Sequence, residues 1–382
     1  MGLFSCSARN PETEFLLTEG DLMGRLLFGL LAAFLIGHVG EVSAADTAQS
    51  IEAHQQASFR AMERNDFVSA EAEAQRALET AERVLGPEHS RTVESLSLLA
   101  IVYRGKGRNE EAKPFAERAL AISEKTIGPE HLETAALMSI MASIYLNTGD
   151  VAKAESLLRR SVSIKEKGFG PNHPFAAISS STLADLLTAK GEYVEAERLN
   201  KRALVAVEKA WPADDPSIPV GLRANIPIIM EGLAQVHLGQ LRLEEAEKLV
   251  ARAFSLRMSI VGADHVSMVG NRKILGDIYL AWGRNAEAEN SYREALRIME
   301  KAIGSENEVV SNLLSAIADS CEMQGKYDVA AQIYTRCVAI DEKIFPLGHP
   351  VRTEHSKRYA NILKVTGRAK EADQVQQRSQ GK

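Results

Sequence analysis

The sequence predicts an all-α protein built as an array of helix hairpins, and three observations predict it. A turn motif recurs, with Gly-Pro-Glu-His at 86–89 and 128–131 and Gly-Pro-Asn-His-Pro at 170–174, a period of 42 residues. Small residues recur in the same steps in three separate columns. Between these markers the apolar residues fall at three and four spacing, the period of a helix with one buried face.

The first column of small residues is Ala100, Ala142, Ala184, Ala234, Gly276, Ala318 and Ala360. The second is Ala112, Ala154, Ala196, Ala246, Ala288, Ala330 and Ala372, and the third is Ala77, Ala119, Ser161, Ala203, Ala253, Ala295 and Cys337. Carried forward, the turn maps Pro174 onto Pro216, slips by eight residues to His265, and then steps by 42 to Asn307 and His349. One insertion explains the slip.

Taken in chain order, residues 1–44 form a leader rather than part of the array. Arg25 precedes an apolar stretch of 11 residues, Leu26 to Ile36, and Val42-Ser43-Ala44-Ala45 supplies the small residues that a signal peptidase requires. Cleavage is expected after Ala44. The stretch is short of the roughly 20 residues needed to cross a bilayer, which makes an uncleaved anchor the weaker reading. A start at Met23 instead of Met1 would explain the 22 residues ahead of it. Removing the leader takes away two basic and five acidic residues, leaving 43 against 46 and moving the net charge from −6 to −3.

Residues 45–382 then read as one array of eight hairpins: roughly 50–86, 87–128, 129–170, 171–212, 213–262, 263–304, 305–346 and 347–382. In each, a first helix such as that of Leu96, Leu99, Ala100 and Tyr103 ends at a glycine, here Gly107, and a second follows with Ala112, Phe115, Ala119 and Ile122. Helices approach closely only where neither carries a large side chain, so Ala100 and Ala112 mark their crossing. Glycine recurs at both stops because a left-handed residue best ends a helix.

The hairpin at 213–262 is irregular. Its extra residues lie between Asp215 and Ala234 with Pro219 and Pro227 among them, which forbids one straight helix and predicts a bend or a loop. Leu241 stands where the glycine of the first stop belongs, and Gly239 comes two places early. At the far end, 368–382 is polar on nearly every side and is expected to be a solvent-facing cap.

The small-residue columns, with Tyr103, Tyr145 and Tyr279 three places after the first, resemble the tetratricopeptide repeat. The 42-residue form with Gly-Pro-x-His between units is similar to the kinesin light chain subfamily, and the resemblance covers about residues 50–382. It implies a right-handed superhelical solenoid with the first helices lining a concave face. That subfamily's paired asparagines, which hold a bound peptide, are replaced here by Ser97-Leu98, Ser139-Ile140, Ser181-Thr182 and Ser315-Ala316.

By that analogy the residue after each small position of the first column faces the groove. The candidate partner-binding residues are Ser143, Asp185, Gln235, Asp277, Asp319 and Asn361, with Ser181, Glu231, Lys273, Ser315 and Lys357 one turn earlier and Glu322 beyond. Such a face would accept an extended or helical peptide, favouring a basic segment between Asp277 and Glu322. The other reading is a solvated helix face.

Composition narrows the function. Hydrophobic residues are 45% and charged ones 25%, the balance of a folded chain, while aromatics are only 5% and no basic run exists, so nucleic acid is not an expected partner. Five histidines, His89, His131, His173, His265 and His349, share the inter-repeat turn; one per unit, they cannot converge on a metal. Cys321 and Cys337 fall in core columns of one hairpin, where a disulfide and two free thiols both stay open, and neither has a histidine in phase. With no phosphate-cradling loop, nucleophilic triad or spaced carboxylate pair, no catalytic residue, cofactor or metal is expected and the protein is not read as an enzyme. The sequence thus points to an exported scaffold, periplasmic or secreted, that binds a protein or peptide, with no membrane span in the mature chain. The alternative is a self-associating structural component.

Overall fold

A computed structural model describes residues 45–380 apart from Asn65, Pro216 and Asp264. The leader, its cleavage site and the turn position Pro216 lie outside the described residues. Within them every long element is a helix, and none is long and apolar enough to cross a membrane.

Sixteen long helices follow one another, with one single-turn helix between. They are α1 (Ala45–Glu63), α2 (Phe67–Leu85), α3 (Ser90–Gly105), α4 (Asn109–Thr126), α5 (Leu132–Asn147), α6 (Val151–Phe169), α7 (Pro174–Ala189) and α8 (Tyr193–Ala210). After the single turn α9 (Val220–Arg223) come α10 (Asn225–Gly239), α11 (Leu243–Val261), α12 (Met268–Ala281), α13 (Asn285–Ile303), α14 (Glu308–Met323), α15 (Tyr327–Ile344), α16 (Pro350–Val365) and α17 (Ala369–Gln380). The expectation of an all-α array of about eight hairpins is borne out. The described chain divides into an N-terminal unit, residues 45–187 and 198–225, and a C-terminal unit, residues 188–197 and 226–380.

In both units the small columns form the hairpin crossings. Ala100 and Ala112, Ala142 and Ala154, Ala318 and Ala330, and Ala360 and Ala372 are all fully buried. Around them the N-terminal core gathers Leu96, Leu99, Ile101, Ile140 and Ile144, and the C-terminal core gathers Tyr292, Leu313, Ile317, Tyr334 and Ile362. Gly276 replaces alanine because the Tyr292 ring lies over it: a β-carbon there would stand 2.4 Å from the ring's Cε1.

The recurrent histidines act as helix caps. The Nδ1 atoms of His89, His131 and His173 accept from the backbone N–H two residues on, at 3.1, 3.2 and 3.3 Å, satisfying a donor that the first helical turn leaves open, and His265 makes the same bond at 3.2 Å to Ser267, the residue just ahead of α12. His349 makes no such bond and instead stacks on Phe345 with ring centres 4.1 Å apart. Burial lowers the pKa of His173 and of His265, favouring the neutral ring that can accept.

The irregular segment is a braced loop within the N-terminal unit. Asp215 Oδ1 accepts from the Ser217 backbone N–H at 2.9 Å, and the Arg223 guanidinium donates to the carbonyls of Ala213 and Ile218, both at 3.0 Å. Buried Asn225 donates to the Gly221 carbonyl at 3.0 Å. Pro219 precedes α9, and Pro227 falls in the first turn of α10, where a missing N–H costs no helical bond.

The C-terminal helix carries its apolar residues on one side. Ala372 and Val375 are buried and join the C-terminal core, so α17 presents a narrow apolar stripe to α16 and polar residues elsewhere.

Leu241 keeps the left-handed backbone of the glycine it replaces, with φ 58°, and its side chain is mostly exposed. That conformation costs an ordinary residue about 1–2 kcal/mol, whereas glycine adds about 0.5–1 kcal/mol of unfolded-state entropy. Leu241→Gly should therefore stabilise the protein by about 0.5–1 kcal/mol in denaturant unfolding, and a loss of stability would contradict this account.

Candidate partner-binding surface

The residues expected to line a groove sit on the first helix of each hairpin, but at unequal depths. In the N-terminal unit Ser143, Ser181 and Asp185 are buried. Ser143 donates to the Ile140 carbonyl at 2.7 Å and Ser181 to Asn200 Oδ1 at 2.7 Å. In the C-terminal unit Glu231 and Ser315 are buried, Gln235, Lys273, Asp277, Asp319 and Glu322 are half-buried, and Lys357 and Asn361 are exposed. Of these positions only Lys357 and Asn361, on α16, are exposed.

Several of these positions are tied into the fold. Glu231 pairs with buried Arg257 at 2.5 Å and accepts from Asn271 Nδ2 at 3.1 Å, and Asn271 also donates to the Val250 carbonyl at 3.0 Å. Asp277 accepts from the Tyr292 hydroxyl at 2.6 Å and from Lys273 Nζ at 2.8 Å, the pairing expected from their four-residue spacing. Asp319 repeats the arrangement one unit on, accepting from the Tyr334 hydroxyl at 2.5 Å and from the Arg358 guanidinium. Arg358 also holds Glu354 at 2.9 Å. Thus Asp277 and Asp319 each fasten a tyrosine of the hairpin's second helix to its first.

Glu322 is different. One helical turn after Asp319, it makes no ion pair among the described residues. Burial first, and then the neighbouring Asp319 charge, push its carboxyl above the usual carboxylate range.

Buried polar nodes join neighbouring helices within each unit. Gln55 donates to Ser95 at 3.1 Å, Ser123 bonds Thr134 at 2.7 Å, and Ser139 bonds Ser161 at 2.8 Å. Lys165 donates to Ser179 at 2.7 Å and to Ser139 at 3.3 Å, and burial pulls its pKa down to about 8. In the last node Cys337, Asp341 and His355 converge with Ser311. This corrects the expectation that no histidine lies near the cysteines: His355 Nδ1 is 3.3 Å from Cys337 Sγ, brought there by the packing of α16 on α15. Cys321 and Cys337 are free thiols, and burial pushes the pKa of both upward. Sequence reasoning missed Tyr292 and Tyr334 as well, although both recur in step with Asp277 and Asp319 and that shared period was a usable signal.

A family model described as "Tetratricopeptide repeat" matches residues 46–125, 103–167, 133–209, 225–301 and 271–343. A 111-residue segment, 29% of the chain, is 31% identical to the human protein O-mannosyl-transferase TMTC1; it spans only 10% of that protein. A solved putative kinesin light chain repeat structure from Podosopora anserina is 25% identical, covering 55% of this chain and 95% of that one, with a TM-score of 0.43. A Rap protein complexed with competence and sporulation factor is 13% identical, covering 87% and 97%, with a TM-score of 0.57.

Two outcomes follow from the nodes. Glu231→Ala removes the carboxylate that pairs with buried Arg257 and should cost about 3–5 kcal/mol in unfolding free energy, most of which Glu231→Met with Arg257→Met should restore. Lys165 titrates near 8 in the folded state and at about 10.4 when unfolded, so the folded state holds fewer protons between those values and stability rises with pH across that window. Lys165→Met should accordingly be more stable than the native chain at pH 7, with the advantage gone by about pH 10.5; an advantage independent of pH would refute the assignment.

Proposed function

The chain belongs to the tetratricopeptide repeat family, and from that membership we propose that it is an exported scaffold whose C-terminal unit holds a basic segment of a partner protein. The repeat family supports the coarse statement, a protein–protein interaction scaffold. The finer reading rests on Glu322. A carboxylate that is partly desolvated, beside another carboxylate and without an ion pair among the described residues, is a place where an incoming lysine or arginine gains more than it would at an open surface.

The neighbouring positions suit that occupant. Asn361 is exposed and Gln235 half-buried on first helices of the same unit, giving uncharged polar partners for a peptide backbone. Asp277 and Asp319 are already bonded to tyrosines and each is paired with a cation, Lys273 and Arg358, which leaves Glu322 as the carboxylate that would meet the partner. The reading is non-catalytic. The transferase named among the relatives is matched over a tenth of its length, and its chemistry stays with that protein.

Export rests on the apolar stretch before Val42-Ser43-Ala44-Ala45 and gives a mature chain beginning at Ala45.

The test is crosslinked capture from the exported fraction with the native chain and with Glu322→Lys, which leaves both tyrosine–aspartate bonds in place. The native chain should begin at Ala45 by N-terminal sequencing and capture a defined protein, with affinity falling at least about tenfold in the variant and with rising salt. Unaltered capture by Glu322→Lys would refute the site, capture of the chain by itself alone would favour a self-associating component, and an unprocessed intracellular chain would refute export.

A further inference from the structure

Where α14, α15 and α16 pack in the C-terminal unit, four polar side chains meet in the core. Cys337 and Asp341 stand four residues apart on α15 and so share one face. Ser311 reaches them from α14 and His355 from α16, and all four are buried. His355 Nδ1 lies 2.8 Å from Asp341 Oδ2 and 3.3 Å from Cys337 Sγ. Ser311 Oγ is 3.4 Å from Sγ and 3.3 Å from Nδ1, and it donates to Asp341 Oδ1. The sulfur, nitrogen and carboxylate oxygen all lie within 4.8 Å of one another.

The fold does not require polar groups at this corner. One 42-residue step earlier the same four positions are Val269, Ala295, Met299 and Leu313, all buried and all apolar. An apolar corner therefore packs well in this architecture, and the polar set is an addition to it. The other nodes, built from hydroxyls, amides and ion pairs, hold no thiol. Here a thiol, an imidazole and a carboxylate converge from two helices, and these are the three donor types that bind a borderline-soft dication.

We propose that Cys337, Asp341 and His355 bind one divalent cation of the zinc class, with the Ser311 hydroxyl beside the fourth position. The charges balance: a thiolate and a carboxylate with a neutral imidazole bring two negative charges to a double positive one, the thiol proton leaving to solvent as the ion enters. The spacing also suits it. Bonds of about 2.0–2.1 Å to nitrogen and oxygen and 2.3 Å to sulfur put tetrahedral neighbours about 3.3–3.4 Å apart for nitrogen and oxygen and about 3.5–3.6 Å apart where sulfur is one of the two. The sulfur-to-nitrogen distance of 3.3 Å needs to open by about 0.2 Å and the 2.8 Å nitrogen-to-oxygen contact by about half an ångström when the ion replaces a hydrogen bond, while the sulfur and the carboxylate oxygen, within 4.8 Å of each other, draw together around it. Because the corner is buried, the ion is structural and locks α14, α15 and α16 together.

The purified full chain titrated with Co²⁺ and then Zn²⁺ tests this. One equivalent of Co²⁺ should bind with thiolate-to-cobalt charge-transfer absorption in the near ultraviolet and tetrahedral bands in the visible, and Zn²⁺ should displace it and raise the melting temperature. Cys337→Ala, which restores the residue found at Ala203, Ala253 and Ala295, should fold and lose both responses, while Cys321→Ala keeps them. If circular dichroism shows Cys337→Ala misfolded, His355→Leu takes its place, since leucine is the residue at the equivalent position, Leu313, one repeat earlier. Absence of stoichiometric uptake in the native chain, or the same absorption in Cys337→Ala, would overturn the proposal and leave the corner a hydrogen-bonded node.

Discussion

The close approach of two helices at a pair of small side chains is the constraint on which the rest of the molecule depends. Ala100 against Ala112, Ala142 against Ala154 and their later equivalents are fully buried, and the distance between helices is set there. Once it is set, larger residues on either side interdigitate, and each hairpin presents a surface of fixed shape to the next. The exception makes the point. Tyr292 occupies the space of a side chain at Gly276, and only glycine leaves room for that ring and for its hydroxyl to reach Asp277.

A second regularity follows from the first. Helices held this closely still carry polar side chains at their margins, and these must be satisfied when the next hairpin covers them. The nodes around Ser123 and Thr134, Ser139 and Ser161, Glu231 and Arg257, and Cys337 and His355 solve the same problem with different chemistry. Their differences come from sequence that the packing leaves free, and free sequence is where a repeat array acquires individual properties. The same division applies to the first helices, where Glu231 and Ser181 are bonded inside the fold while Glu322 is half-buried and Lys357 and Asn361 are exposed.

Most of the architecture was legible in the residues because it depends on identities that recur. Alanine columns, glycine stops and the histidine turn each report a local requirement, and a period of 42 residues multiplies that report seven times over. The family assignment reached from these columns agrees with the repeat model that matches most of the chain. Leu241 shows how firmly the pattern holds: where glycine is missing, the turn keeps its left-handed backbone and leucine adopts it.

The sequence by itself determined the helices, their pairing and the residues at each crossing, since those follow from spacing along one chain and from side-chain size. It did not determine which polar residues are spent inside the molecule. Asp277 and Asp319 read as groove-facing carboxylates until Tyr292 and Tyr334 are seen to reach them, and Glu231, one turn earlier in its helix, reads as another until Arg257 does. His355 and Cys337 stand 18 residues apart across a turn and meet only because α16 packs on α15. Periodicity fixes the helix face on which a side chain lies, but its partners come from helices that cross it at an angle, and only the tertiary structure decides that angle.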